Sequence, residues 1–279
     1  MKNVEAFIRP ENIEEVLENM ALPGALALAG GTTVSLSKDP NVLRLVDLSG
    51  VGALKAIEVD DDKVVLGAMV TMTDILQTEI PLPAALRLAA RAVSSTPIRN
   101  MVTIGGELAR GVYWTDLPVA LLTLDATVKV CSSASSRLVP VRELYREHPS
   151  KNLAPGEIIT KVYLPKGHTK SSFIKFAKTE VDYAMLNVSA TVQLSADGIF
   201  ERVQVAIGAV TPLAVPLVAV EEFLVGKKIS KETYAQAAQI AAQGLKYRKD
   251  FRISSEYQTE MVLVHVARVI ENAVSAAGE

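Results

Sequence analysis

A single cysteine, Cys131, stands in a chain of 279 residues. It excludes an intrachain disulfide framework and leaves no thiol cluster for structural zinc or an iron-sulfur centre; a lone thiol of this kind fits an inert place in a strand. Histidine is scarce too, with three residues: His148 in a polar loop, His168 beside a turn and His265 on an apolar helix. None belongs to a His/Cys/Asp group with metal-ligand spacing, so no metal site and no acid-base triad is assigned. Basic residues are not in excess, 29 Lys and Arg against 31 Asp and Glu, which argues against nucleic acid or another polyanion as partner. Long apolar runs are missing as well. The C-terminal "MVLVHVARVIENAV" is broken by His265, Arg268 and Glu271 and is too short to span a bilayer. The N-terminal "MKNVEAFIRPENIEEVLENM" is charged where a signal peptide needs apolar residues. A cytoplasmic protein without a membrane span is expected.

What is present suits a folded core: 49% hydrophobic and 22% charged residues, in a length that fits one large or two moderate domains. Ile13, Val16, Leu17 and Met20 recur at helical spacing. "ALALAGG" reads as a buried strand entering a glycine turn, followed by "TTVSLSK" and a strand at 43–49, the scale of a small βαβ unit. Two β runs around Asp60-Asp61-Asp62 read as a hairpin. Helices are expected at 73–78, 83–93 and 117–124, and strands in "ATVKVCSS", "SRLVPV" and "GEIITKVYLP". A boundary is expected near Pro165-Lys166-Gly167. Beyond it, "SSFIKFAKT", "NVSATVQLS" and "FERVQVAIGAV" suggest three strands. Helices at 216–225, with Pro216 in the first turn, 231–244 and 255–276 complete the pattern.

Two glycine pairs need explanation, Gly30-Gly31 in "LALAGGTTVS" and Gly105-Gly106 in "TPIRNMVTIGGELARGVYWTDLPVALLTLDA". Glycines permit positive φ and remove Cβ atoms, so backbone N–H groups can close on phosphate oxygens without a lysine. Neither pair fits a mononucleotide P-loop or the G-x-G-x-x-G fingerprint. Either pair alone is also a simple turn.

The flanks narrow the choice. "LAGGTTVSL", "LGAMVTMTDI", "PIRNMVTIGGELA", "TDLPVALLTLDATVKV", "GEIITKVYLP", "SFIKFAKTEVDYAMLNVSATV" and "YRKDFRISSEYQTEMVLVHVARVI" resemble, in order and over nearly the whole chain, the FAD-binding subunits of the molybdenum hydroxylases. That group includes the xanthine dehydrogenase and carbon monoxide dehydrogenase flavoprotein subunits. The resemblance implies an α+β fold: a two-subdomain FAD-binding domain of the vanillyl-alcohol-oxidase (PCMH) type at 1–166, divided at about 52/53, and a smaller C-terminal domain at 167–279 with a three-stranded antiparallel sheet and helices. It implies that both glycine loops bind the pyrophosphate through backbone amides. Ala27, Leu28, Ala29, Gly30, Gly31, Thr32, Thr33 and Val34 would form the first loop, and Thr103, Ile104, Gly105, Gly106 and Glu107 the second, with Thr32 and Thr103 hydroxyls adding hydrogen bonds.

The same resemblance places Asp116 at a cofactor-contacting position, suited to a ribose or adenine donor. Ile159 and Lys175 match later FAD-contacting positions, with Lys178 as the competitor for the lysine, and Val93 an apolar one. Tyr183 is the candidate to lie against the isoalloxazine; a core or interface tyrosine is the alternative. Arg99-Asn100 would order the second loop through backbone hydrogen bonds, with direct cofactor contact as the alternative. Glu107 replaces the family's common Asn, and its charge should point away from pyrophosphate or pair with Arg99 or Arg110. "GVYWTD" replaces a Pro-containing approach to the Asp. Tyr113 and Trp114 there suit packing on adenine, covering a subunit contact or filling the core.

The function implied is electron transfer. Noncovalent FAD would receive electrons from the [2Fe-2S] clusters of a small partner subunit, fed by the molybdenum cofactor of a large one, and pass them to an acceptor such as NAD+. Two alternatives stand beside it: a free-standing FAD oxidoreductase, and a non-catalytic scaffold or assembly subunit with a degenerate flavin site.

Overall fold

A computed structural model describes residues 3–36, 39–167 and 170–276; His168 lies outside them. The chain forms two compact units, one from 1–80, 95–110 and 126–165, the other from 81–94, 111–125 and 166–279.

In the first unit the strands Ala6–Ile8, Arg44–Asp47 and Ala25–Leu28 make a parallel sheet with Arg44–Asp47 in the centre. The Ile13–Met20 helix begins where the Asn12 side chain accepts the Glu15 N–H, satisfying one of the first-turn donors that a helix leaves unpaired. It buries Val16 and Met20 among Val46, Leu48, Val51, Leu54, Met69 and Ile158. A second, antiparallel sheet runs in the order Ile57–Asp60, Lys63–Gly67, Ile158–Pro165, Thr127–Cys131, Ser136–Pro140. Its first hairpin turns at the acidic run, and Asp60 pairs with Lys63. Cys131 is buried in a strand, its sulfur 3.4 Å from Thr160 Oγ1.

In the second unit the antiparallel strands Lys170–Phe176, Leu186–Leu194 and Phe200–Gly208 are joined at the edge by the two-residue strand Val215–Pro216. The sheet therefore has a fourth, short strand beyond the three expected. Pro216 does not start a helix: it sits in that edge strand, where a missing N–H is tolerated, and the helix runs Val218–Leu224. The helices Lys231–Gly244 and Ser255–Ser275 cover the sheet, burying Ala237, Ala241, Val262, Val266, Val269 and Ile270 against Val188, Val203, Val205 and Ile207. The helices Ala84–Ala92 and Leu117–Thr123 belong to this unit as well.

Candidate functional site

The two glycine pairs lie in the first unit and differ in backbone. Of the four residues only Gly31 has positive φ, 72°. Gly105 and Gly106, expected in a loop, lie instead in the first turn of an Ile104–Arg110 helix. Gly105 is required by packing: a Cβ there would lie 2.6 Å from Ala68 Cβ and 2.8 Å from Ala68 O. Gly30 is required by a closer approach, since its Cβ would stand 1.5 Å from Met101 O. The first pair is thus seated on the backbone leading into the second.

Their amides differ in the same way. Ile104 N–H donates to Val70 O at 2.9 Å, Gly105 N–H to Ala68 O at 2.9 Å and Glu107 N–H to Thr103 O at 3.0 Å. Gly106 N–H donates to Thr103 Oγ1 at 3.2 Å. The N–H groups of Gly30, Gly31, Thr32 and Thr33, by contrast, donate to no group among the described residues. All four residues are half-buried. Consecutive free donors around a positive-φ glycine form an anion-binding concavity. The chain then turns into Val34–Leu36, where Ser35 N–H closes on Gly31 O at 3.0 Å. A cleft of about 330 Å³, lined by Val4, Leu28, Gly31, Val34, Ser35 and Leu45, opens beside it.

Other first-unit positions have definite places. Ile159 is buried in its strand. Asn100 accepts a hydrogen bond from Thr73 Oγ1, and Arg99 donates to Thr96 Oγ1 at 2.8 Å. Tyr145 Oη donates to Leu108 O at 3.1 Å; burial, and secondarily the charge of Glu107, push its phenol well above its ordinary pKa. His148 caps the Pro149–Asn152 helix by accepting the Ser150 N–H.

In the second unit the structure brings Asp116 and Lys175 together. Asp116, buried at the start of Leu117–Thr123, accepts Asn187 Nδ2 at 2.8 Å and lies 3.8 Å from Lys175 Nζ. Burial raises its pKa to about 6, against the opposing effects of the Lys175 charge and the Asn187 bond. Lys175 is held by Ala92 O at 2.7 Å, one residue before the buried Val93, whereas Lys178 is exposed. Asn187 was not singled out in the sequence; an Asn inside the apolar run "MLNVSATV" was the available signal, since a buried amide needs partners. Tyr183 is 61% exposed, which removes the core alternative. Its ring packs on Trp114 with centroids 4.8 Å apart, and Trp114 meets Tyr113 edge-on at 4.6 Å. His265 is buried, its Nδ1 without a hydrogen-bond partner among the described residues. No group of three or more His, Cys, Asp or Glu among the described residues could hold a metal ion, and no helix there is long and apolar enough to cross a membrane.

Residues 2–167 match the family described as the FAD binding domain in molybdopterin dehydrogenase. The chain belongs to this family. Residues 171–273 match the CO dehydrogenase flavoprotein C-terminal domain. The nicotine 6-hydroxylase medium subunit of Paenarthrobacter nicotinovorans is 31% identical over 96% of this chain and 96% of its own. The carbon monoxide dehydrogenase medium chain of Afipia carboxidovorans is 29% identical over 97% of each. Among solved structures, quinoline 2-oxidoreductase from Pseudomonas putida 86 has a chain 28% identical, with a TM-score of 0.87 over 97% of this chain and 96% of that one. The chain is thus an FAD-binding oxidoreductase subunit of the xanthine and carbon monoxide dehydrogenase family, with an antiparallel C-terminal domain.

Proposed function

We propose that this subunit binds FAD noncovalently and carries electrons between an iron-sulfur small subunit and a soluble acceptor, in a complex whose large subunit holds the molybdenum cofactor. The observation that carries the reading is the row of free amides from Gly30 to Thr33. Such donors bind a dianionic pyrophosphate without a cationic side chain, and the half-buried setting strengthens each bond over its worth in water. In this reading the first loop, 27–34, provides the amides and the Thr32 hydroxyl. The second segment, 103–107, acts chiefly as a platform, with the Thr103 hydroxyl proton available as one further donor. Ile159 contributes apolar contact.

From the second unit we assign Asp116, Lys175, Val93 and Tyr183 as cofactor contacts. A carboxylate repels phosphate, so Asp116 suits a ribose or adenine donor. When bound, the flavin supplies the electron-carrying chemistry, and the chain's own task is binding and orientation. NAD+ is the proposed acceptor and the cytoplasm the proposed location. The domain division at 166/167 is kept for the two functional parts.

Adding FAD to the pure chain tests this. Bound flavin with a resolved visible spectrum, displaced by ADP but not by riboflavin, is the expected outcome. Absence of binding would sink the reading in favour of a scaffold subunit, and displacement by riboflavin alone would remove the amide row from it.

A further inference from the structure

Tyr183 presents an exposed ring from a backbone held at two successive carbonyls by one guanidinium. Arg252 Nη1 donates to Tyr183 O at 3.0 Å and Nη2 to Ala184 O at 3.0 Å. The other edge of the guanidinium faces Asp250, with Nε 3.0 Å from Oδ1 and Nη2 2.7 Å from Oδ2. Asp250 also accepts Arg248 Nη2 at 2.7 Å, and the Arg248 guanidinium lies 3.7 Å from the centroid of Tyr113. Tyr113 meets Trp114, and Trp114 meets Tyr183. The contacts therefore close a circuit: from Asp250 one arm reaches the Tyr183 carbonyl through Arg252, and the other reaches its ring through Arg248, Tyr113 and Trp114. The Asp250 carboxyl is held far below the ordinary carboxylate range, first by the Arg252 side-chain bonds. All of these residues belong to the second unit.

Ordering an exposed aromatic side chain costs conformational entropy and buries little surface in return. Such order is intelligible where the ring must meet a flat ligand in one pose. We propose that Arg252, anchored by Asp250, is a positioning residue that fixes Tyr183 as a platform for the isoalloxazine of FAD. The proposal rests on the assignment of Tyr183 as a flavin contact. Arginine is needed because its planar fork spans a carboxylate and two successive carbonyls at once, whereas a lysine ammonium is a point charge.

The test uses the full chain loaded with FAD and reads three quantities: FAD content, the visible circular dichroism of the flavin, and the fluorescence of Trp114, the sole tryptophan. Arg252→Gln is expected to keep wild-type FAD content and to shift the flavin dichroism in the direction, and by about the amount, seen for Tyr183→Ala. Adding both substitutions together should shift it no further. Arg252→Lys should not restore the signal, and Trp114 emission should change in both Arg252 variants. A wild-type flavin signal in Arg252→Gln, with a shifted one in Tyr183→Ala, overturns the proposal and leaves the flavin contact standing. An unshifted signal in Tyr183→Ala with FAD bound overturns the contact and the proposal with it. Should Arg252→Gln not fold, Asp250→Asn removes the anchor while leaving Arg252 in place. A smaller shift in the same direction then supports the proposal, and no shift overturns it.

Discussion

Gly30-Gly31 and Gly105-Gly106 are the same dipeptide put to different uses. In the first pair one glycine lets backbone touch backbone and the other bends the chain through positive φ, leaving a row of amides without partners among the described residues. In the second the residues are helical, their amides are consumed inside the protein, and the missing Cβ of Gly105 is space for Ala68. A glycine pair thus states that a Cβ is unwelcome, but not whether a ligand or a neighbouring strand makes it so. The free donors decide that, and they lie on one side only.

The largest effect should come from Gly30→Ala. A Cβ 1.5 Å from Met101 O cannot be accommodated without moving backbone, and a cost of about 4 kcal/mol or more is expected. Gly106→Ala is the matched control: its Cβ would meet only the Thr103 hydroxyl at 2.8 Å, and displacing that hydroxyl costs about the 1 kcal/mol of the cap it makes to Gly106 N–H, which the higher helix propensity of alanine offsets by about as much. Thermal melts should show Gly30→Ala unfolded or strongly destabilised and Gly106→Ala close to the wild type. Equal melting of the two would erase the contrast.

That contrast was only partly legible beforehand. Most helix and strand placement followed from periodicity, because alternation and helical spacing report burial directly; the start of the 216–225 helix and the helical turn at Gly105-Gly106 did not. The glycines did not follow in the same way, since φ and close approach depend on what packs against them, and Met101 and Ala68 are distant or unmarked in the sequence. Pro216 misled for a related reason: a proline fits both the first turn of a helix and an edge strand, and only the Ala206 partner distinguishes them. The Asp116–Asn187 bond and the Arg252 fork join residues 71 and 69 positions apart, beyond the reach of any local pattern.

Second in size is a pH effect, which separates backbone recognition from side-chain chemistry. Asp116 has a native pKa of about 6 against 3.8 for the free group, worth roughly 3 kcal/mol. Above pH 6 both states are ionised and the native state bears the full cost of the buried charge. As pH falls from 6 towards 3.8 the native carboxyl takes up its proton first, so this group makes the fold more stable through that window. His265 acts in the opposite sense: burial, then the Arg268 charge, hold its pKa below 6.5, so its contribution is lost as pH falls below 6.5. The difference in unfolding free energy between wild type and Asp116→Asn cancels the histidine. It should change by about that amount between pH 8 and pH 4, whereas the difference for Gly106→Ala should stay flat.

Gly31→Ala comes next. The new Cβ clears Leu28 Cδ1 at 3.5 Å, so the penalty is the left-handed backbone itself, roughly 1–2 kcal/mol. If the residue keeps its φ the protein loses that stability; if it relaxes, the amides turn away and FAD is lost by about tenfold in Kd, the equivalent of 1.4 kcal/mol. Calorimetric titration beside a thermal melt distinguishes the two, and an unchanged value in both would mean that the loop does not need its glycine.

The smallest effect tests whether the second segment is a platform or a contact. Thr103 Oγ1 caps the Gly106 N–H, so Thr103→Val should cost about 1 kcal/mol of stability, restored by Thr103→Ser. Thr32 offers its hydroxyl beside the free amides and holds no such cap among the described residues, so Thr32→Val should weaken FAD binding severalfold, about the worth of one hydrogen bond, and leave the melt unchanged. If Thr103→Val lowers the melt while Kd stays within twofold, as a pure platform requires, the phosphate grip belongs to the first glycine pair alone. A loss of affinity beyond that of Thr32→Val would instead return the second pair to a direct role, exercised through the threonine hydroxyl, since the glycine amides already have their acceptors.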